Sequence, residues 1–118
     1  MYTITKEYHF SASHVLKGLP ADHPCARLHG HNYIVKVELQ SASLNNHGFV
    51  VDYRDLDVLK NYINDSIDHR HLNDILGDDN VTAEHIARHF YEWCKQRWPQ
   101  VSAVMISETP RTWAEYRP

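Results

Sequence analysis

The sequence is poor in the residues that cross-link small secreted domains or mark low-complexity chains. Of its 118 residues only two are cysteine, four are glycine and five are proline. The reducing cytoplasm is the expected compartment, and there we expect the two cysteines, Cys25 and Cys94, to be free thiols and not a disulfide. A hydrophobic fraction of 42% with 23% charged residues excludes a disordered or collagen-like chain.

The sequence also lacks a long apolar run and an excess of positive charge. No stretch approaches the ~20 apolar residues of a membrane-spanning helix, and residues 1–7 hold no apolar signal core, so we expect no membrane association. The formal net charge is −3, whereas a nucleic-acid groove requires a basic stripe. We therefore expect no nucleic-acid partner, although a few local cations could still hold a small anionic substrate.

Histidine is the residue type in excess, with 10 of the 118 residues. It is the commonest metal ligand and the side chain that titrates near neutral pH, so the excess favours a metal or acid–base site without locating it. No internal repeat, linker or change of composition divides the chain, and we expect a single domain over residues 1–118.

Two segments near the N-terminus alternate apolar and polar residues with the period of a half-buried strand. They are residues 2–10 and 31–40, and the long connection between them is typical of functional loops. Near the C-terminus residues 101–108 alternate again, residues 109–112 predict a turn, and residues 113–116 fit a short last strand.

Helical spacing lies between these two pairs of strands. Asp52 is a candidate N-cap before apolar residues at positions 56, 59, 63 and 67, and Thr82 is a second candidate before a helix that Pro99 should end. Residues 68–81, between the helices, predict a polar loop. The order strand, strand, helix, helix, strand, strand predicts an α+β fold, an antiparallel sheet with two helices on one face. Its open edges favour a homo-oligomer.

Three histidines fall on one face of the first predicted hairpin. His29 and His31 are two apart, so their α-carbons lie about 6.6 Å apart on the same side of a strand. His14 points to that side as well if the first strand continues past Phe10, and Gly30 eases close approach of the backbones. Three imidazoles with an open fourth position are typical of catalytic zinc sites. The alternative is a strand start with solvated imidazoles.

Cys25 lies four residues before His29, and this spacing leaves two interpretations open. As a fourth ligand Cys25 would close the tetrahedral site, as in structural zinc centres. As a thiolate that stays off the metal, stabilised by a nearby cation, it would act as a base. The spacing alone does not decide between them.

Six segments together resemble the 6-pyruvoyl-tetrahydropterin synthase family, and the resemblance covers nearly the whole chain. In order they are FSASH (10–14), CARLHGHNY (25–33), GFVVDY (48–53), IDHRHLND (67–74), NVTAE (80–84) and SET (107–109). The short interval from Cys25 to His29 is similar to the branch that makes 6-carboxy-5,6,7,8-tetrahydropterin for queuosine biosynthesis, since the pyruvoyl branch usually has a longer interval.

The resemblance implies a tunnelling fold, with elements in the order ββααββ. In that fold four-stranded sheets from several subunits join into a barrel, typically in a hexamer of two stacked trimers with active sites between subunits. It also implies that His14, His29 and His31 bind Zn²⁺.

For activity the resemblance implies a carbon–carbon lyase that converts 7,8-dihydroneopterin triphosphate into 6-carboxy-5,6,7,8-tetrahydropterin, acetaldehyde and triphosphate. Cys25 would accept the proton and the pair Asp68 and His69 would relay it, with His71 as the less favoured relay histidine. Glu108 would anchor the pterin ring by accepting two adjacent N–H groups, and it would join the proton network.

The contacts to the rest of the substrate are less defined by the resemblance. Thr82, together with Glu84, either touches the pterin or only caps the second helix. Arg27 is a candidate for binding the triphosphate, as are Lys17 and Arg70, because all three lie close to the matching segments.

Two other functions stay open on the sequence. Elimination of triphosphate to give 6-pyruvoyl-tetrahydropterin would use the same zinc and cysteine and would differ only in its product. A non-catalytic zinc-binding module would hold the metal with all four of His14, His29, His31 and Cys25, and it would lose the metal when Cys25 is replaced.

Overall fold

A four-stranded antiparallel sheet organises the protein, whose computed structural model describes residues 1–118. The strands lie side by side in the order β1 (Tyr2–His14), β2 (His29–Ser41), β3 (Val101–Ser107) and β4 (Ala114–Tyr116). The helices are α1 (Asp57–Tyr62), α2 (Leu72–Leu76) and α3 (Ala83–Lys95). The predicted α+β class is confirmed. No helix is both long and apolar enough to cross a membrane.

The β1–β2 hairpin is longer than the alternating segments that predicted it. Its pairing runs from Tyr2 opposite Ser41 to His14 opposite His29. The first strand therefore continues past Phe10 with unchanged alternation, which is the condition that the predicted histidine face required.

The core lies between one face of the sheet and the helices. Alternate residues of β2 from Tyr33 to Leu39 are fully buried on this face, as the two-residue period of a strand requires. Helix α3 packs over this face mainly at β3 and β4, and Phe90 packs against Phe10, which stacks on Tyr33 with ring centres 5.0 Å apart. The sheet thus buries one face and presents polar residues on the other.

Both predicted N-caps are confirmed. The Asp52 carboxylate accepts a hydrogen bond from the Arg54 N–H at 2.9 Å. The Thr82 hydroxyl accepts one from the His85 N–H at 3.2 Å and starts α3. This helix ends at Lys95, three residues before the expected end at the residue preceding Pro99.

The first predicted helix is three consecutive helical segments of different pitch. A 3-10 turn over Tyr53–Leu56 leads into α1, and a π-helical segment over Ile63–Ile67 follows it. The apolar side chains that predicted this helix are all buried in the core: Leu56, Leu59, Ile63 and Ile67.

The prediction of a polar loop over residues 68–81 was wrong where α2 forms. Leu72 is fully buried, and Ile75 and Leu76 pack against the same core. Full burial of one leucine stabilises by about 1.5–3 kcal/mol, enough to favour one helical turn among polar neighbours. Gly77 then ends α2 in the left-handed conformation, with φ of 64°.

The segment 68–71 runs beside the C-terminal part of β1 and covers its free edge. The Ser11 N–H donates to Asp68 Oδ1 at 2.8 Å, and the Ser13 N–H donates to the Arg70 carbonyl at 3.1 Å. The N-terminal part of β1 has no such cover. The sheet therefore keeps one open edge there and another along β4.

A partly buried hydrogen bond joins the first helical region to α3. The Tyr62 hydroxyl lies 2.7 Å from His89 Nε2, and Tyr62 stacks on Trp93 with ring centres 4.4 Å apart. Burial lowers the pKa of His89 below its usual value of 6.5. Protonation of His89 is therefore more costly in the folded protein than in the unfolded chain.

We expect the free energy of unfolding to fall as the pH drops below about 6.5, because the unfolded chain then binds a proton that folded His89 resists. The loss is complete once the pH is below the lowered pKa of folded His89. Replacing His89 by glutamine, which does not titrate, should reduce the difference in stability between about pH 7 and pH 5. Urea unfolding of both proteins at these two pH values measures it, and equal differences would contradict the prediction.

Candidate metal centre and active site

Three histidine side chains meet on the core face at the end of the β1–β2 hairpin. His14 lies directly opposite His29 in the register, and His31 is two residues further along β2 on the same face. One nitrogen from each ring lies within 4.8 Å of the corresponding nitrogens of the other two. A Cβ atom at Gly30 would lie 3.2 Å from the Ala12 carbonyl oxygen, so glycine suits this close pairing.

Backbone carbonyls fix which nitrogen of two of these rings carries the proton. His14 Nδ1 donates to the Val81 carbonyl at 2.7 Å, and His29 Nδ1 donates to the Arg27 carbonyl at 2.6 Å. The Nε2 atoms of both rings therefore carry lone pairs, and they face each other 2.9 Å apart. Two facing lone pairs repel unless a cation lies beside them. This orientation by a second hydrogen bond is typical of metal-binding histidines.

The third ring completes a donor set that fits a metal ion. His31 Nε2 is buried and has no hydrogen-bond partner, and its nearest acidic atom is Glu108 Oε2 at 3.9 Å. Burial lowers the pKa of His14 and the pKa of His31, so both rings are neutral and able to bind metal near pH 7. Three neutral imidazoles suit Zn²⁺ and leave its fourth position for a substrate atom.

Cys25 lies beside this group and is not part of it. The cluster of mutually close ligand atoms contains the three histidines alone. The Cys25 side chain is half-buried in a short 3-10 turn, Pro24–Ala26, and the thiol is free. It lines a cavity of about 330 Å³ together with His14 and Glu108. This placement favours the interpretation in which the thiolate stays off the metal.

Two further predicted residues line the same cavity. Thr82 and Glu84 lie at the start of α3 and face this space. The Thr82 hydroxyl is at the same time the N-cap of α3, so the capping interpretation holds whether or not Thr82 also contacts a ligand. Trp113, on the turn before β4, closes another side of the cavity.

Asp68 and His69 form a hydrogen-bonded pair outside this cavity. Asp68 Oδ1 accepts from the Ser11 N–H, and its Oδ2 accepts from His69 Nδ1 at 2.8 Å. These bonds, that from Ser11 above all, lower the pKa of Asp68 and keep the carboxylate ionised. His69 Nε2 is left free to accept a proton. The His69 backbone has φ of 59°, a strained value for a residue with a side chain.

His69 faces a second cavity, of about 440 Å³, which the candidate metal ligand His31 also lines. Ser11, Ser13, Asn32 and Arg70 are among its other lining residues. None of the residues in this lining also lines the cavity of Cys25. A single chain therefore does not bring the predicted base and the predicted relay into one space.

The remaining predicted residues lie around these cavities. Arg27 is exposed and lines neither of them, and the part of it that acts on the site is its carbonyl, which orients His29. Lys17 pairs with Asp79 on the surface at 3.4 Å. His71 Nδ1 is engaged with the Ser13 hydroxyl at 2.9 Å.

The carbonyls of Val81 and Arg27 are the parts of the site that the sequence did not reveal. Every residue carries a backbone carbonyl group, so a carbonyl that orients a histidine does not require a particular side chain at its position and cannot be recognised from the sequence. The segments NVTAE and CARLHGH contain these two residues, but only the folded backbone shows what their carbonyls do.

Fold and site together define an α+β protein with a histidine-only ligand group at the end of a long hairpin. The family model described as 6-pyruvoyl tetrahydropterin synthase matches residues 3–118, and the chain belongs to this enzyme family. Its sheet and helices are therefore those of the tunnelling fold.

Individual relatives cover nearly the whole chain. The Bacillus subtilis 6-carboxy-5,6,7,8-tetrahydropterin synthase is 30% identical, over 99% of this chain and 86% of its own length. The Haemophilus influenzae protein of the same name is 30% identical, over 99% of both chains. The solved structure of Caenorhabditis elegans 6-pyruvoyl tetrahydropterin synthase superposes with a TM-score of 0.86 at 27% identity, covering 99% of this chain and 95% of that one.

Proposed function

We propose that this chain converts 7,8-dihydroneopterin triphosphate and water into 6-carboxy-5,6,7,8-tetrahydropterin, acetaldehyde and triphosphate. The observation that carries the proposal is the cavity in which a half-buried free thiol, Cys25, lies beside a three-histidine ligand group and Glu108. The names of the bacterial relatives support the same product. The resemblance to that branch supports a role of the product in queuosine biosynthesis, and the free thiols fit a cytoplasmic enzyme.

His14, His29 and His31 would hold Zn²⁺, which supplies Lewis-acid polarisation of the side-chain oxygens of the substrate when it is bound. Two of these histidines, His14 and His29, contribute fixed tautomers. Their two orienting carbonyls hold the rings in place, so the protein needs little rearrangement to present three nitrogen lone pairs.

The other side chains of the site would bind the pterin and move protons. The Glu108 carboxylate accepts the ring N–H and the adjacent amine of the pterin, a two-pronged contact that fixes the ring. The Cys25 side chain, as a thiolate, would take the proton from the reacting carbon of the substrate side chain. His69 Nε2 receives or returns a proton while Asp68 holds its Nδ1–H.

An active site between subunits would bring Cys25 and His69 into one space. Within one chain they line separate cavities. The open edges of β1 and β4 allow sheets of neighbouring subunits to pair and close a barrel. We therefore propose a homo-oligomer, a hexamer of two trimers, in which His69 of one subunit faces Cys25 of the next.

Two arginines are proposed for the triphosphate. Arg70 lines the cavity of His69, and its Nη2 donates to the Asp65 carbonyl at 3.1 Å, which leaves further N–H groups free. Arg27 is exposed and would reach a substrate only where a neighbouring subunit completes the site. Thr82, with Glu84 beside it, is proposed to border the pterin.

A product assay tests the proposed reaction. The zinc-loaded protein is incubated with 7,8-dihydroneopterin triphosphate, and acetaldehyde, triphosphate and the pterin product are measured by mass spectrometry. We expect acetaldehyde and the pterin acid in equal amounts, and none of either after removal of the metal with a chelator. Triphosphate without acetaldehyde would show the elimination reaction that yields 6-pyruvoyl-tetrahydropterin. No turnover by a folded, zinc-replete oligomer would favour a zinc-binding module without this activity.

A further inference from the structure

Asn73 is a buried polar residue that no step of the proposed reaction uses. Asn73 is 8% exposed, and every hydrogen bond of its side chain is made with a backbone group. Its Oδ1 accepts from the Val15 N–H at 2.9 Å. Its Nδ2 donates to the Val15 carbonyl at 2.9 Å and to the Asp78 carbonyl at 3.0 Å. One amide therefore joins three backbone groups from two distant parts of the chain.

Both of these parts lead directly to the metal centre. Val15 is the residue after His14, so the two bonds from Asn73 fix the backbone that carries this ligand. Asp78 lies three residues before Val81, whose carbonyl accepts from His14 Nδ1 and sets its tautomer. Asn73 thus holds both the backbone of the ligand and the segment that orients its ring.

The same backbone continues to the turn of Cys25. The Leu16 N–H donates to the Cys25 carbonyl at 3.1 Å. Further along, the Lys17 N–H donates to the Asp79 carbonyl at 3.1 Å. These bonds hold residues 14–18 between the segment 78–81 on one side and the Cys25 turn on the other. Asn73 is the buried side chain that links residues 14–18 to the segment 78–81.

We propose that Asn73 is a positioning residue that preorganises the metal centre by holding His14 and its orienting carbonyl in one arrangement. The inference uses the metal-binding part of the proposed function and does not depend on which pterin is the product. Asparagine is suited to this task because its amide accepts and donates at once. Aspartate would keep the bond from the Val15 N–H and lose both donated bonds. Leucine, of similar size, would lose all three.

The experiment measures Zn²⁺ affinity of the purified full-length chain by competition with a chelator, and the visible spectrum of the Co²⁺-substituted protein. We expect N73L and N73D to bind Zn²⁺ about 10-fold more weakly than the wild type, the lower end of the cost of losing the hydrogen-bond partner of a ligand, because Asn73 acts on His14 through the backbone of Val15 and Asp78. The Co²⁺ spectra should change as well, because the His14 ring is no longer held in one orientation.

The matched control is L76A, on the same helix α2 as Asn73. Leu76 packs against the core and makes none of the bonds to residues 15 and 78, so L76A should lower stability and leave Zn²⁺ affinity within about twofold. If N73L does not fold, the Zn²⁺ affinity of N73D, which keeps the hydrogen bond from the Val15 N–H, tests the inference.

Wild-type affinity in a folded N73D or N73L would overturn the inference, as would an equal loss of affinity in L76A. A wild-type chain that binds no Zn²⁺ would overturn the metal site and the inference together. A wild type that binds Zn²⁺ but fails the product assay would overturn the proposed reaction alone, and the affinities of the variants would still test Asn73.

Discussion

Replacing Cys25 by alanine should lower kcat by about 10²–10⁴-fold while the protein keeps its full zinc content. The reason is the separation of the thiol from the ligand cluster. The three histidines already form a group of mutually close nitrogens, and Cys25 lies beside them in the same cavity. Loss of the thiol removes a proton acceptor and leaves the ligands and their orienting carbonyls unchanged. Steady-state kinetics together with metal analysis of the purified variant measures both quantities.

The second cysteine provides the matched control for this prediction. Cys94 is fully buried on α3, and burial raises its pKa to about 12, so it has no thiolate near neutral pH. Replacing Cys94 by alanine should lower the thermal stability and change kcat by less than about twofold. If Cys25→Ala instead loses its zinc, Cys25 is a fourth ligand and the site is a closed structural one.

The face that carries the three histidines was predictable because a strand places every second residue on one side. His29 and His31 meet this condition within one strand, and His14 meets it as soon as β1 continues with unbroken alternation. The register that places His14 opposite His29 depends on pairing between residues distant in sequence. The alternation of apolar residues in both strands nevertheless restricts the registers that keep the apolar side chains in the core. For this reason the sequence pattern alone pointed to the three side chains that cluster in the structure.

The segment after the first helical region was harder to predict because its structure depends on contacts with β1. Residues 68–71 follow the strand edge, and α2 forms where Leu72 reaches the core. Asn73 in particular lies in a mainly polar segment of the sequence. Nothing in this segment distinguishes a buried side-chain amide that makes three hydrogen bonds from an amide exposed to solvent. A local rule of propensity could not find it, since its partners Val15 and Asp78 are brought together only by the fold.

The sequence least prepared us for the placement of Cys25 and His69 in different cavities. The family resemblance placed both in one reaction, whereas each chain places them in separate cavities. The open edges of β1 and β4 offer the physical route by which two chains could bring them together. The dependence of activity on assembly is therefore the feature that most needs a direct experiment.

Mixing two inactive variants should restore activity if the site is shared between subunits. Cys25→Ala and His69→Ala are each expected to have almost no turnover. In a mixed oligomer some sites combine Cys25 from one chain with His69 from its neighbour. With equal amounts and random assembly about one quarter of the sites are complete, so we expect about one quarter of wild-type activity after the oligomers are dissociated and reassembled together.

Two controls separate this result from other causes. Each variant taken through the same procedure alone should stay inactive. His71→Ala serves as the matched histidine variant, because its Nδ1 is engaged with the Ser13 hydroxyl, and it should keep activity without any partner. Mixtures no more active than the variants alone would place Cys25 and His69 in a site formed by one chain. In that case the two cavities must join through a rearrangement of the hairpin and residues 68–71.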